Sequence, residues 1–551
     1  KGRIGPIFGR TADMQSMIEV LLQKNAPHVL LHGEEGVGMT SAVNGLAKRI
    51  VDGSVPQKMK DATVISISMA TIIHDSGGGP MGPQPHDILR MILEGTAKHN
   101  QTARNRVILH VEDMGADAEQ ANPIVKQFAT IMRSLMAHTV KHNSADLSII
   151  FEMPEQHLEV TRKSDPLVLK TFTPVELKPL PKEDVMDFIN HHGPKLASHH
   201  GVALPDDILE FLYKKTDKFM PNQQHPGKDL AVLDNALASA EANGRKQITE
   251  DDIVTIVAKH AMLPKSFVSS EMPDRIDSLE QGLLQRIFGQ DHAVKRVADT
   301  IGLVNEGLHD PKKPLGVFLL PGPTGVGKTE LARSLAAILF GDEEAVIRAD
   351  MGQFHDKHTI SRLVGSPPGY VGFEGKCILD DIEKRPFSVV LLDEIEKSHP
   401  DVDNALLPIL DDGILTKMDG KKLNFRNAVF ILTSNLGARA VEHAADRVKV
   451  GFGDQSEQEK DADLQDVRDD AIKERLKPEF RGRTTMIHMN YLTPEVVEKI
   501  AHKKIREVSE RLRDNKRYKD IKIEISPDAL KQLMSVGYDK RKGARHMDQA
   551  V

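Results

Sequence analysis

Gly316-Val-Phe-Leu-Leu-Pro-Gly322-Pro323-Thr324-Gly325-Val326-Gly327-Lys328-Thr329 decides the fold. A short apolar run ends in a glycine loop that carries a lysine and a threonine. A helical pattern follows, with Leu331, Leu335, Ile338 and Leu339 on one face. Strand, glycine loop and helix open an α/β nucleotide fold built on a parallel sheet. The glycines let successive backbone N–H groups converge on phosphate oxygens. Lys328 brings a point charge to the β and γ phosphates, and the Thr329 hydroxyl suits Mg²⁺.

The same pattern stands 289 positions upstream, as His28-Val-Leu-Leu-His-Gly33-Glu-Glu-Gly-Val-Gly38-Met39-Thr40, followed by Val43, Leu46, Ala47 and Ile50 at helical spacing. Phe8-Gly9-Arg10 likewise matches Phe288-Gly289-Gln290. The chain therefore reads as one module repeated, with a period too long for a solenoid. Lys178-Pro-Leu-Pro181 closes the first α/β part, and a strand-poor stretch follows it. The expected domains are 1–180 (first large α/β domain), 181–262 (small helical domain), 263–280 (linker), 281–490 (second large domain) and 491–551 (second small domain). Both ends are expected to be cut edges, because the chain opens on Lys1 and closes on Val551 inside a helical pattern.

Composition narrows the class. The 551 residues hold 40% apolar and 28% charged side chains, which suits soluble globular domains and excludes a disordered or fibrous chain. No apolar run is long enough to span a bilayer, so no membrane partner is expected. The formal net charge of −7 disfavours nucleic acid as a partner. The single cysteine, Cys377, excludes an intramolecular disulfide framework and suits a reducing, cytoplasmic compartment.

Two further strands surround the second glycine loop. Ser388-Val-Val-Leu-Leu-Asp393-Glu394 is an apolar run ending in two carboxylates, and a strand's C-terminal end is where a doubly wound sheet places its ligand. Asp393 suits the Mg²⁺ shell and Glu394 the general base that polarises the attacking water. Asn427-Ala-Val-Phe-Ile-Leu-Thr433-Ser-Asn435 ends in polar residues suited to orienting that water.

The ordered series Gly322 to Thr329, Leu391-Leu-Asp-Glu-Ile-Glu-Lys397, Thr433-Ser-Asn-Leu-Gly437, Pro478-Glu-Phe-Arg-Gly-Arg483 and Gly543-Ala-Arg545 closely resembles the second AAA+ module of the two-ring Clp unfoldases, particularly ClpA and ClpC. The likeness is strong over 281–551 and weaker over 1–262. It implies tandem AAA+ modules, each a P-loop α/β domain followed by a small helical domain, and an ATPase that unfolds proteins as a homo-hexamer. It implies that Asn435 reads the γ-phosphate and that Arg483 is an arginine finger reaching a neighbour's site. It also implies that Arg545 is a second sensor on the small domain, and that Ile287 and Phe288 belong to the adenine pocket.

The first site departs from this pattern. Gly33, Gly38 and Thr40 are kept, but Met39 stands where the lysine belongs and cannot balance phosphate charge. Glu34 matches the family, whereas Glu35 adds a charge that repels phosphate. The carboxylate pair reads Glu112-Asp113, and Asp113 is one methylene too short to serve as base. Glu152 ends the third strand where threonine or asparagine is expected. This site is expected not to hydrolyse ATP, while nucleotide binding stays open.

Two loops point to partners. Tyr370 and Val371, within Gly365-Ser-Pro-Pro-Gly-Tyr-Val-Gly-Phe373, sit where the family places its substrate-gripping pore loop. A ring of flat amphipathic side chains grips extended polypeptide without needing a sequence. The first module has no aromatic residue from Gly9 to Gln127, so its own loop, within Ser76 to Pro85, is expected to grip weakly. Val450-Gly451-Phe452 begins a charge-dense excursion and resembles the tripeptide by which family members dock a ClpP-type serine peptidase. The expected partners are thus unfolded proteins, adaptors and that peptidase. Rival readings are a non-degrading remodeller and a nucleic-acid motor. The disaggregase subtype is disfavoured because Leu233 to Ile253 lacks a coiled-coil insertion.

Overall fold

The computed structural model describes the chain except residues 1–6, 25–26, 69–84, 103–105, 113–146, 156–157, 159–161, 163–169, 171, 270–274, 277, 365–376, 418–421, 437–466, 468, 515–522 and 540–542. Asp113, most of the Ser76–Pro85 patch, the pore-loop pair Tyr370 and Val371, and the docking tripeptide Val450, Gly451 and Phe452 lie outside the described residues. The chain divides into two units, the first running to Val257 and the second starting at Ala258.

The first unit holds a five-stranded sheet of β1 (His28–Gly33), β2 (Thr63–Ser68), β3 (Val107–Glu112), β4 (Ser148–Pro154) and β5 (Thr173–Leu177), in spatial order β2-β3-β4-β1-β5. All pairings are parallel. Strands β1 and β4 are buried at every position, as the continuous apolar runs require once helices cover both faces. The helix Met39–Val51 turns Ala42, Val43, Leu46 and Ile50 inward. Polar side chains interrupt this sheet. His28 lies beside Phe172, and its burial, helped by Arg106, pushes its pKa down to about 4, which keeps the ring neutral near neutral pH. Helices Lys182–His200, Ile208–Phe219, Gly227–Ala242 and Glu250–Ala261 follow. Only residues 243–249 separate the last two, so no insertion stands there.

The second unit repeats the plan. Its sheet comprises β6 (Gly316–Pro321), β7 (Val346–Asp350), β8 (Val389–Asp393), β11 (Val429–Ser434) and β12 (Thr485–Met486), in spatial order β12-β6-β11-β8-β7 and again all parallel. A hairpin of β9 (Ile414–Thr416) and β10 (Lys422–Asn424) stands apart. In both sheets the strand that leads into the glycine loop lies between its two parallel neighbours. The loop therefore opens where three strand ends converge. Helices Pro494–Asp514, Pro527–Gly537 and Met547–Ala550 form the small domain.

The stretch expected as a linker is structured where it is described. A helix at Lys265–Ser269 sets Phe267 against Phe340 and Phe387, with ring centroids 6.1 and 5.5 Å apart. The Arg275 guanidinium stacks 3.9 Å over Phe267 and donates to Leu339 O. Apolar anchors inside a turn-rich sequence fix these residues to the back of the second module's loop-following helix.

Candidate functional site

The second glycine loop runs from β6 into the helix Lys328–Phe340. Its last glycine, Gly327, has φ 103°, so the helix starts from a conformation that a side chain would strain. Lys328 is buried and donates from Nζ to Gly322 O (2.7 Å), Ser434 O (2.9 Å) and Asn435 Oδ1 (2.7 Å). Burial pushes this ammonium down to about 8, while Glu396, Asp393 and Glu394 pull the other way. Thr329, next along the helix, is partly exposed.

The carboxylates are built around one hydroxyl. Thr433 Oγ1 donates to Asp393 Oδ1 at 2.7 Å and accepts the Glu394 N–H at 2.9 Å. Arg348 on β7 donates to the other Asp393 oxygen at 2.6 Å. Glu394 has φ 60° and ψ 54°, left-handed for a residue with a side chain. Strain of this kind, on the order of 1–3 kcal/mol, persists where surrounding contacts over-determine the backbone. Here they do. Asn435 Nδ2 donates to Glu394 Oε1 at 3.0 Å, and Lys397 pairs with Oε2. Asn435 thus accepts from Lys328 and donates to Glu394 with one side chain.

Arg475 fastens the chain just after Glu394. It donates to Ile395 O, Glu396 O and Ser398 O and pairs with the buried Asp403 at 3.2 Å. Neither Arg348 nor Arg475 carries a local sequence signal, because each acts across a long sequence separation. Gln290 also acts across a long separation. It donates to Asn490 O and Val326 O, tying the turn that holds the buried Ile287 and half-buried Phe288 to the glycine loop.

The small domain touches the loop directly. The Ala544 N–H donates to Gly325 O at 3.1 Å. Gly543, at φ 59°, lies so near that an added Cβ would sit 2.5 Å from the same oxygen. Arg545, two residues on, is exposed. Arg483 lies elsewhere, paired with Asp411 and donating to Glu479 O, with a third of its side chain exposed.

The first site has the same frame and different contents. Register equates Glu152 with Thr433, since Glu152 pairs with Leu31 as Thr433 pairs with Leu320. By the same register Glu112 occupies the place of Asp393. Thr40 Oγ1 donates to Glu152 Oε2 at 3.0 Å. The buried Met39 faces no phosphate charge that it can balance. Arg10, the counterpart of Gln290, donates to Val37 O and Lys178 O and pairs with Asp13.

Comparison with known proteins agrees with this frame. Residues 313–487 match the family model described as AAA domain (Cdc48 subfamily), 492–551 the C-terminal, D2-small domain, of ClpB protein, and 182–281 an AAA lid domain. The chain is 28% identical to chaperone protein ClpB of Oceanobacillus iheyensis, over all of this chain and 73% of the relative. It is 29% identical to the negative regulator of genetic competence ClpC/MecB of Bacillus subtilis, with the same coverage. Solved structures of Saccharomyces cerevisiae Hsp104 also match, each 27% identical over all of this chain and 90% of that one. The ADP complex has a TM-score of 0.80 and an extended casein complex 0.70.

The contact between small domain and loop yields a test. Gly543→Ala forces a left-handed alanine against a backbone carbonyl and must lift the Ala544 hydrogen bond. We expect nucleotide affinity to fall roughly tenfold, equivalent to about 1.4 kcal/mol. Titration with a fluorescent ADP measures it. Unchanged affinity would contradict the seating of the small domain on Gly325.

Proposed function

We propose that this chain, a member of the Clp family of tandem AAA+ ATPases, is an ATP-driven protein unfoldase whose second module alone hydrolyses ATP. The observation that carries the reading is the linked group Lys328, Asn435 and Glu394 in the second module, against Met39 in the lysine's place and Glu152 in the place of Thr433 in the first.

In this reading Lys328 exchanges its neutral acceptors, two carbonyls and an amide, for phosphate oxygens. Gly322, Pro323, Thr324, Gly325, Val326 and Gly327 wrap the phosphates with backbone N–H groups. Thr329 and Asp393 present hard oxygen donors of the kind Mg²⁺ takes, and the bound ion neutralises phosphate charge. Glu394 accepts a proton from water, and Asn435 holds its carboxylate toward the γ-phosphate. Thr433 keeps Asp393 and the Glu394 backbone in register, so proton acceptor and metal-binding carboxylate stay together. Ile287 and Phe288 flank adenine, and Arg545 closes over the nucleotide from the small domain. Arg483 serves a neighbouring subunit, so a ring is the working unit, and we take it as a homo-hexamer. An arginine finger contributes a rate factor of about 10³–10⁵.

Polypeptide is the substrate. The structural relative bound to casein supports this, and Tyr370 with Val371 supplies the grip. The first ring then serves as scaffold and passage. The family also contains ClpC-type proteins named as ATP-binding subunits of a Clp protease. With Val450, Gly451 and Phe452 beginning a charged loop, a ClpP-type serine peptidase is the partner and the cytoplasm the site of action. A non-degrading remodeller is the second reading, favoured by the likeness to ClpB and Hsp104.

Glu394→Gln tests the catalytic assignment. Turnover should fall by at least a hundredfold while nucleotide still binds. Substantial phosphate release by that variant would sink the assignment to the second module. Phe452→Ala tests the partner. Co-sedimentation with a ClpP-type peptidase should be seen for the parent chain and lost in the variant. Equal binding by both, or none by the parent, would leave the remodeller.

A further inference from the structure

The first module's altered residues are not scattered losses. Glu152, 3% exposed, is a carboxylate inside a sheet, and an unpartnered charge there would be strongly unfavourable. It has partners on both sides. Thr40 donates to Oε2 at 3.0 Å, and His110 Nε2 lies 2.8 Å from Oε1. The far nitrogen of His110 hydrogen-bonds with Ser66 Oγ at 2.7 Å. In the second module the equivalent strand positions hold Thr433, Leu391 and Arg348. Three substitutions on three adjacent strands therefore form one connected polar chain from the glycine-loop helix to the sheet's edge. A site that had merely decayed would have no reason to acquire a buried acid together with its matched partners.

The consequence falls on Thr40. Its hydroxyl is the group that a P-loop gives to the metal, and here it is spent on a carboxylate of the chain itself. The loop also carries Glu34 and Glu35, with Met39 in place of the lysine. Arg10 is turned to Val37 O, Lys178 O and Asp13.

The small helical domain meets this loop as it does in the second module, where the Ala544 N–H donates to Gly325 O, the counterpart of Gly36 O. Gln224, just before the helix Gly227–Ala242, donates to Glu34 of the loop. Gly227 also meets the loop, where an added Cβ would lie at ordinary van der Waals distance from Gly36 O.

We infer that the first module is closed to nucleotide: Glu152 acts as an internal ligand of Thr40, at a loop where Met39 stands in place of the lysine. This rests on the proposed division between the modules but goes further, from no hydrolysis to no binding. The first ring then keeps one shape throughout the cycle of the second. Calorimetric titration of the full chain with ATPγS and Mg²⁺ tests it, in parent and in Lys328→Ala. The parent should bind at most one nucleotide per chain, and Lys328→Ala should bind none. Two nucleotides per parent chain, or binding retained by Lys328→Ala at the parent's stoichiometry, would overturn the inference. Those outcomes are separate from failure of the hydrolysis assignment, which shows as phosphate release by Glu394→Gln whatever the stoichiometry.

Discussion

A buried ammonium governs the second module. Lys328 lies in the crevice between the ends of β6 and β11, held by two carbonyls and the Asn435 amide. Taking that charge out of water is unfavourable, and only a dense set of oriented oxygens offsets it. The parallel sheet supplies them, because parallel strands deliver their C-terminal carbonyls and side chains to one edge. Asn435 and Thr433, two residues apart, then carry the arrangement outward to Glu394 and Asp393. The left-handed Glu394 backbone is held in place by this network together with Arg475 behind it.

The first module shows what the same frame does when its lysine is lost and an acid enters the neighbouring strand. The sheet order and register are retained, so the backbone still converges at the loop. Met39 removes the cation and Glu152 adds an anion one strand away. The polar chain runs from the buried Glu152 and His110 to the exposed Ser66 on the edge strand. Its two buried members, Glu152 and His110, are both partnered, and a satisfied buried pair makes its surroundings rigid.

Much of this was legible in the sequence. The two glycine loops with their flanking apolar runs gave the tandem α/β frame, because strand and helix periodicities are local. Asp393, Glu394 and Asn435 could be placed at strand ends from the apolar runs that precede them. The departures at Met39 and Glu152 were visible by comparing the two halves. Arg348, Arg475 and His110 were not legible, since each acts on a partner tens of residues away and nothing in its own neighbourhood marks it; the repeat marked Gln290 but not its partners 36 and 200 residues on. The 263–280 stretch reads as turn-rich, and Phe267 gains meaning only once Phe340 and Phe387 are brought beside it. The Glu152–Thr40 bond is a further case, because it changes the meaning of a threonine that the motif alone would assign to metal.

The proposed division of labour leaves one site per chain to perform the chemistry. Rapid-quench measurement of the first turnover, with saturating labelled ATP and Mg²⁺ mixed into assembled rings, tests it most directly. A single phase of phosphate formation is expected, with an amplitude that does not exceed one phosphate per chain. A second phase, or an amplitude approaching two per chain, would contradict it.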